Sequence, residues 1–433
     1  MTKGIRATVN EHPSAHSIPL PPPENQLAAF FQPILALDSR RIIGYEVLGR
    51  QLDGDSVRSL GPFFSDPRVP VSEQIRIDRL LREQAIAKLG SMDEPPSIFL
   101  NLKPSWIYRH FKQTGELQTL RMLERHGIDP SRVCIEITEE EFRGSFKELN
   151  EIINLYREQG CRIAIDDVGS DFSSYDRIAQ LQPHLLKVDI HLMKRSASHN
   201  GYLGVLRSFS TLAEQIGASL LVEGVETRQD LQRAIQIGAR YVQGYLFSPA
   251  EPEFRAGNEF APLIEEELEG HRKLLHRTEL YWTNRGKELL RSIRENRIRE
   301  ELEPAEEYLR MESEGESAVG QASDAADAIL EKWRSQLDST CLRVYLCLDN
   351  GTQLSSNHAR MADGSWRYER EYRKSDWSWR PYFIPHLSRM DGLAESRLSP
   401  KYADLNTREW IRTLSLPIGK RLVLFLDMEE PSL

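Results

Sequence analysis

The sequence is poor in cysteine, with four in 433 residues. Cys134, Cys161, Cys341 and Cys347 lie inside or beside strand-like runs and lack the spacing of metal ligands. They read as buried free thiols, not as a disulfide framework or a thiolate metal site. No apolar run is long enough to span a membrane. The opening stretch "MTKGIRATVNEHPSAHSIPLPPPENQ" lacks the apolar core of a secretion signal, so residues 1–25 read as a flexible lead-in. An excess of positive charge is missing too: 56 Lys+Arg face 65 Asp+Glu, for a formal net charge of -9. Tracking along long nucleic acid needs a basic surface, so that function is excluded. A small phosphorylated ligand held through a metal is not. With 28% charged and 40% hydrophobic residues and a mean hydropathy of -0.49, the expectation is a soluble, cytoplasmic chain with a sizeable core.

The length exceeds one ordinary domain, and two or three are expected. Between Phe30 and Leu246 there are eight strand-like runs: "FFQPILAL", "RIIGYEVL", "SIFLNL", "VCIEIT", "CRIAIDD", "HLLKVDI", "SLLVEGV" and "YVQGYL". The first two are close enough to form a hairpin turning at 38–41. The others are joined by segments such as "SEQIRIDRLLREQAIAKL", whose apolar residues recur at helical spacing. Strand and helix in alternation give a parallel sheet with helical crossovers. Eight such strands over residues 26–260 predict a closed (β/α)8 TIM-like barrel with its first strand antiparallel.

Beyond the barrel the composition changes. Residues 261–316 read as a long charged connecting helix with an apolar stripe, interrupted by Pro304. The small, polar "SEGESAVGQASDAADA" reads as a boundary. Residues 317–433 read as a smaller α+β domain on an antiparallel sheet, with strand pairs around Asn350-Gly351 and around the Pro/Gly turn of "LPIGKRL".

Polar residues interrupt the apolar strands of the barrel at corresponding places: Glu46, Asn101, Glu136, the pair Asp166 and Asp167, Lys187, Glu223 and Gln243. Each falls in the C-terminal part of its strand, and those ends converge on one face of a barrel. One polar residue in a strand is commonly a satisfied core group. This many converging, most of them acids, calls for a metal or two. Carboxylates with an amide oxygen and no His or Cys suit hard divalent ions such as Mg²⁺ or Mn²⁺. A double carboxylate at one strand end can serve two ions, which about 3.5–4 Å apart would clamp a phosphate for in-line attack by water. Lys187 can answer negative charge on that phosphate or orient the water. The residues alone thus point to hydrolysis of a phosphate ester.

The ordered series "FQPI", "EVLGR", "NLKPSW", "IEITEEE", "AIDDVGSDFSSY", "LKVD", "VEGVET" and "QGYLFSPAEP" resembles the EAL-domain family of cyclic di-GMP phosphodiesterases, over roughly residues 25 to 255. The resemblance implies hydrolysis of cyclic di-GMP to linear pGpG with Mg²⁺ or Mn²⁺, two ions in all. It implies Glu46, Asn101, Glu136 and Asp166 on the first ion, and Asp166 with Asp167 on the second. Lys187 would contact the attacking water, and Glu223 would be general base or water ligand; Glu46, Lys187 and Glu223 form the catalytic set. Gln32, Leu48, Arg50 and Gln243 would bind substrate, Arg50 through a phosphate. Glu139, Ser170 and Asp171 would support the loop after Asp167, and Glu226 would help at or beside the metals.

Two positions depart from the family pattern. Val47 stands where the namesake triplet has Ala, a change expected to shift Glu46 modestly at most. Asp171 stands in "DDVGSDFSS" where the family usually has the second glycine of "DDFGTGYSS". An added carboxylate there is expected to repel the anionic substrate and slow the enzyme. This keeps an alternative open, a weak or inactive cyclic di-GMP receptor that signals through its dimer. A homodimer is expected, with contacts from the helix after Ser174 and from the C-terminal region. The C-terminal region around "RKSDWSWRPYF" resembles a YkuI-type PAS/Cache-like regulatory domain. Such domains can bind a small ligand, here of unknown identity; otherwise Trp366, Trp377, Trp379 and Tyr382 are core or dimer-contact aromatics.

Overall fold

The computed structural model describes residues 21–138, 142, 145–169, 174–196, 199–310, 315–387, 396–404, 407–419 and 421–430. Most of the lead-in, together with Glu139, Ser170 and Asp171, lies outside the described residues. Two compact units divide the chain between His271 and Arg272.

In the first unit, strands β1 (Leu27–Ala36), β2 (Arg41–Asp53), β3 (Ser56–Ser59), β4 (Ser97–Asn101), β5 (Val133–Thr138), β6 (Arg162–Asp166), β7 (Leu185–Val188), β8 (Ser219–Val222) and β9 (Tyr241–Val242) form one sheet. Its order is β1-β9-β8-β7-β6-β5-β4-β2-β3, and the additional β1–β2 pairing closes eight of the strands into a barrel. β1 runs antiparallel to both neighbours, and the pairs from β2–β4 round to β8–β9 are parallel. The expected barrel is therefore present, antiparallel strand included. The sequence reading missed β3, a short exposed strand that only extends the edge of β2.

Period two governs what each strand shows to the barrel interior. Ile34, Ala36, Phe99, Cys134, Ala164, Leu185, Leu221 and Tyr241 form a separate buried cluster that plugs the barrel. The other strand face packs on the helices as a much larger core that includes Ile98, Ile135, Ile163, Leu186, Leu220 and Val242. Val47 packs with that outer layer. It therefore has the opposite parity to Glu46, so its extra methyl groups press on helices and not on the acid.

The crossover helices start where the sequence can satisfy their free N–H groups. Ser145 and Glu148 form a reciprocal capping box on Phe146–Glu158, and Thr227 and Asp230 do the same on Arg228–Gln236. All four cysteines are buried and free, as expected.

The helix entering the second unit differs from the sequence reading. A helix covers Ala261–Glu295, a second covers Ile298–Arg310 and a third Gly315–Arg334. The break comes at Arg297, which has a left-handed φ of 54°. Pro304 sits inside the second helix instead of ending the first. The polar run read as a boundary is largely helical, because its alanines carry an apolar face. Ala322, Ala326, Ile329, Leu330 and Trp333 join Trp282, Leu289, Ile293 and Ile298 in one core.

That core backs an antiparallel sheet of β10 (Cys341–Leu348), β11 (Asn357–Arg360), β12 (Trp366–Glu369), β13 (Arg397–Leu398), β14 (Tyr402–Ala403), β15 (Trp410–Pro417) and β16 (Leu422–Glu429). Asn350-Gly351 makes the expected tight turn, with Gly351 at φ 98° and Cys347 bridged to Gln353. β15 and β16 pair as expected around their Pro/Gly turn. Of the aromatics, Trp366, Trp377 and Tyr382 pack on the unit's buried clusters, whereas Trp379 is 64% exposed.

Candidate active site

Two residues beyond the interior plug, on strand after strand, the side chain changes from apolar to polar. Phe99 is followed by Asn101, Cys134 by Glu136, Ala164 by Asp166, Leu185 by Lys187, Leu221 by Glu223 and Tyr241 by Gln243. On antiparallel β1 the step runs backward, from Ile34 to Gln32. Glu46 pairs with Phe99 in register and Gln32 with Glu46. The alternation of the strands therefore builds a polar ring on top of an apolar plug.

Lys187 is fully buried at the centre of this ring. Its Nζ lies 2.5 Å from Glu223, 2.8 Å from Glu136, 3.4 Å from Asp166 and 3.9 Å from Glu46. The Asn101 amide donates to Glu46 Oε1 at 2.7 Å and the Gln243 amide to Glu46 Oε2 at 2.7 Å. Gln243 also donates to Gln32 at 3.3 Å, and Gln32 in turn donates to the Ser248 carbonyl at 3.2 Å. Glu46 is thereby fixed on both oxygens.

Electrostatics follow from burial. Burial would discharge Lys187, but the surrounding carboxylates outweigh it and hold the ammonium well above the ordinary lysine range. Burial pushes the Glu136 carboxyl well above the usual carboxylate range, with Lys187 opposing and the other acids adding to the rise. Glu223 is pushed up to about 8, again chiefly by burial.

Asp167 breaks the alternation. Its φ of 55° is left-handed, a conformation that Asp tolerates better than most residues. Its N–H donates to Asp166 Oδ1 at 2.9 Å, and the side chain emerges exposed at the strand end. Partial loss of solvent at the rim and the adjacent Asp166 raise its carboxyl. Two neighbouring carboxylates thus serve different places, one inside the ring and one at its rim.

The donor set fits hard divalent cations: carboxylate and amide oxygens without His or Cys. Glu136 Oε2 and Gln243 Oε1 are buried with no hydrogen-bond donor among the described residues. No three His, Cys, Asp or Glu among the described residues surround a common point at ion-binding spacing. The acids gather instead on the Lys187 ammonium, the one cation at the middle of the ring.

Leu48 and Arg50 line a cavity of about 250 Å³ together with Asn101 and Glu136, so it opens beside the ring. Burial lowers the Arg50 guanidinium somewhat. Sequence reasoning missed the far wall of this cavity, formed by Asp78, Arg82, Lys103 and Trp106. Arg82 is buried, paired with Asp78 one helical turn away, and donates to Thr119 at 3.0 Å. The spacing of Asp78 and Arg82 within an otherwise apolar helix face was the available signal. Glu226 is not brought to the ring. It pairs at 2.8 Å with Lys194 on an exposed surface, because the chain has already turned outward toward the Thr227 cap.

Residues 22–250 match the EAL domain, and residues 288–432 match the EAL-domain associated signalling protein domain. The uncharacterized EAL-domain containing protein YkuI of Bacillus subtilis (strain 168) is 34% identical over 407 residues, 92% of this chain and 93% of its own length. The cyclic di-GMP phosphodiesterase RocR of Pseudomonas aeruginosa is 31% identical over 252 residues, 57% of this chain and 62% of its own. Among solved structures, the Bacillus subtilis YkuI protein in complex with substrate c-di-GMP and calcium matches with a TM-score of 0.76 at 31% identity. That match covers 94% of this chain and 95% of YkuI.

Proposed function

Since this chain belongs to the EAL-domain family, we propose that it hydrolyses cyclic di-GMP to linear pGpG with two divalent cations, Mg²⁺ or Mn²⁺. The observation that carries the reading is the ring of Glu46, Glu136, Asp166 and Glu223 around buried Lys187, with Asp167 at its rim. The name of RocR and the substrate and calcium in the YkuI crystal support it.

Glu46, Asn101, Glu136 and Asp166 would hold one cation, and Asp166 with Asp167 the other. Such cations, when bound, supply Lewis-acid polarisation of a phosphodiester and make water a stronger nucleophile near neutral pH. Glu223 takes the proton of the attacking water. Lys187 steadies that water and the charge developing on phosphate oxygen. A new O–P bond forms as the P–O3′ bond breaks, and the opened ring leaves as pGpG. Arg50 meets a phosphate, and Gln32, Leu48 and Gln243 help to seat the substrate.

The test is pGpG formation by purified protein with Mg²⁺. Glu46→Ala should abolish it. Glu223→Gln should keep substrate binding and lose turnover. Retention of most turnover by Glu46→Ala would remove the assignment. A second reading, a weak or inactive receptor, draws on the acids being gathered on Lys187 rather than around ion-sized gaps.

We also read the chain as a cytoplasmic homodimer whose C-terminal PAS/Cache-like unit regulates the barrel. Exposed Tyr175 and Val205 support a partner surface on the helices Ser174–Leu181 and Asn200–Ile216. Light scattering that finds only monomer at micromolar concentration would refute the dimer. No described helix is long and apolar enough to cross a membrane.

A further inference from the structure

The C-terminal unit holds a cavity of about 810 Å³, within the size range of small-molecule sites. Its walls include Trp282, Arg380, Tyr382, Arg397, Tyr402 and Arg412. Tyr382 and Tyr402 are stacked, with ring centres 6.0 Å apart and planes 22° apart, and both line the cavity.

One cation on these walls has no carboxylate partner among the described residues. Arg380 lies over the rings of Trp377, Trp379 and Tyr402, at 5.5, 4.7 and 5.6 Å from their centres. Among the described residues it makes no ion pair with a carboxylate.

The other cations are engaged. Arg412 donates to Glu430 at 3.0 Å and to the Ser399 carbonyl at 3.3 Å, and Arg397 makes contacts of its own. The one carboxylate among the described wall residues, Glu279, is exposed. The walls therefore offer aromatic surface and one guanidinium that has no carboxylate partner among the described residues.

We propose that this cavity is a binding site for a planar aromatic carboxylate. The ring packs against Tyr382 and Tyr402, and Arg380 answers the single negative charge. One guanidinium without a carboxylate partner matches a monoanion better than a phosphate dianion.

The probe is 2-naphthoate, titrated calorimetrically into the full-length protein in EDTA, where the acidic barrel ring does not attract a carboxylate. Binding below about 1 mM is expected, and 2-naphthol (ring without charge) and acetate (charge without ring) should each bind at least about tenfold more weakly. Arg380→Gln should weaken 2-naphthoate about tenfold or more. Arg380 is partly exposed, so its variant keeps the fold. The proposal is overturned by no 2-naphthoate binding at millimolar concentration, by equal binding of 2-naphthol, or by an affinity unchanged in Arg380→Gln.

Discussion

Replacing Lys187 with methionine removes one charge from the centre of the ring while keeping an unbranched side chain of similar length. Four carboxylates then face one another without the ammonium that lies 2.5 to 3.9 Å from each of them. Removing one partner of a buried ion pair typically costs about 3–5 kcal/mol, because the remaining charge stays buried and unpaired. At about 2–4 °C per kcal/mol for a domain of this size, the barrel transition should fall by roughly 10 °C in EDTA. Divalent cations should then substitute for the missing ammonium. Addition of Mg²⁺ should therefore raise the melting temperature of Lys187→Met by more than it raises that of the wild type. Differential scanning fluorimetry with and without Mg²⁺ makes both comparisons. A variant melting within about 2 °C of wild type in EDTA would refute the view that Lys187 holds the acids together. An equal response of both proteins to Mg²⁺ would refute the substitution.

Gly244 follows Gln243 with a φ of 158°, and a Cβ there would lie 2.1 Å from the Val225 carbonyl oxygen and 2.2 Å from its nitrogen. Gly244→Ala must move backbone, so the barrel should lose about 2–3 kcal/mol and turnover should fall as Gln243 shifts; an unchanged melting curve would contradict this. In the second unit, Asp327 accepts from the Ser356 N–H at 2.8 Å, the Ser356 hydroxyl at 2.6 Å and His358 at 3.1 Å, and it also pairs with Arg373. Although burial opposes them, these donors hold its carboxyl down to about 2, from an ordinary 3.8. A depressed carboxyl stabilises the fold above its unfolded value and loses that contribution as pH falls through the folded one. Asp327→Asn should therefore cost about 2 kcal/mol at neutral pH, and the difference from wild type should shrink between about pH 4 and pH 2. Chemical denaturation at several pH values checks it, and a deficit independent of pH would contradict it.

The barrel was legible because period two is visible in the chain itself. Phe99 with Asn101, Cys134 with Glu136 and Leu185 with Lys187 each put an apolar residue and a polar one on the same inward face. That spacing suffices to forecast a polar ring above a plug. What it cannot forecast is where the charges settle, since the contacts of Lys187 with Glu223 and Glu136 join different strands. Glu226 lies only three residues beyond Glu223, yet the chain turns outward between them and Glu226 pairs with Lys194, a placement that sequence spacing does not foretell. The helical region was misread at Arg297 and Pro304 for a similar reason. Proline is a local signal for a break, but packing of Ile298 and Leu302 into the core keeps that helix intact across it. The cavity wall at Asp78 and Arg82 was passed over, despite its place on an apolar helix face, because an i, i+4 ion pair on a helix is usually a solvated surface feature.

The most direct test of the central claim is pGpG production from cyclic di-GMP by the purified full-length protein, with Mg²⁺ or Mn²⁺ and again in EDTA. The geometry around Lys187 predicts metal-dependent conversion that EDTA stops and readdition of the cation restores. Tight binding of cyclic di-GMP with no pGpG under any of these conditions would contradict hydrolysis and leave the chain a receptor.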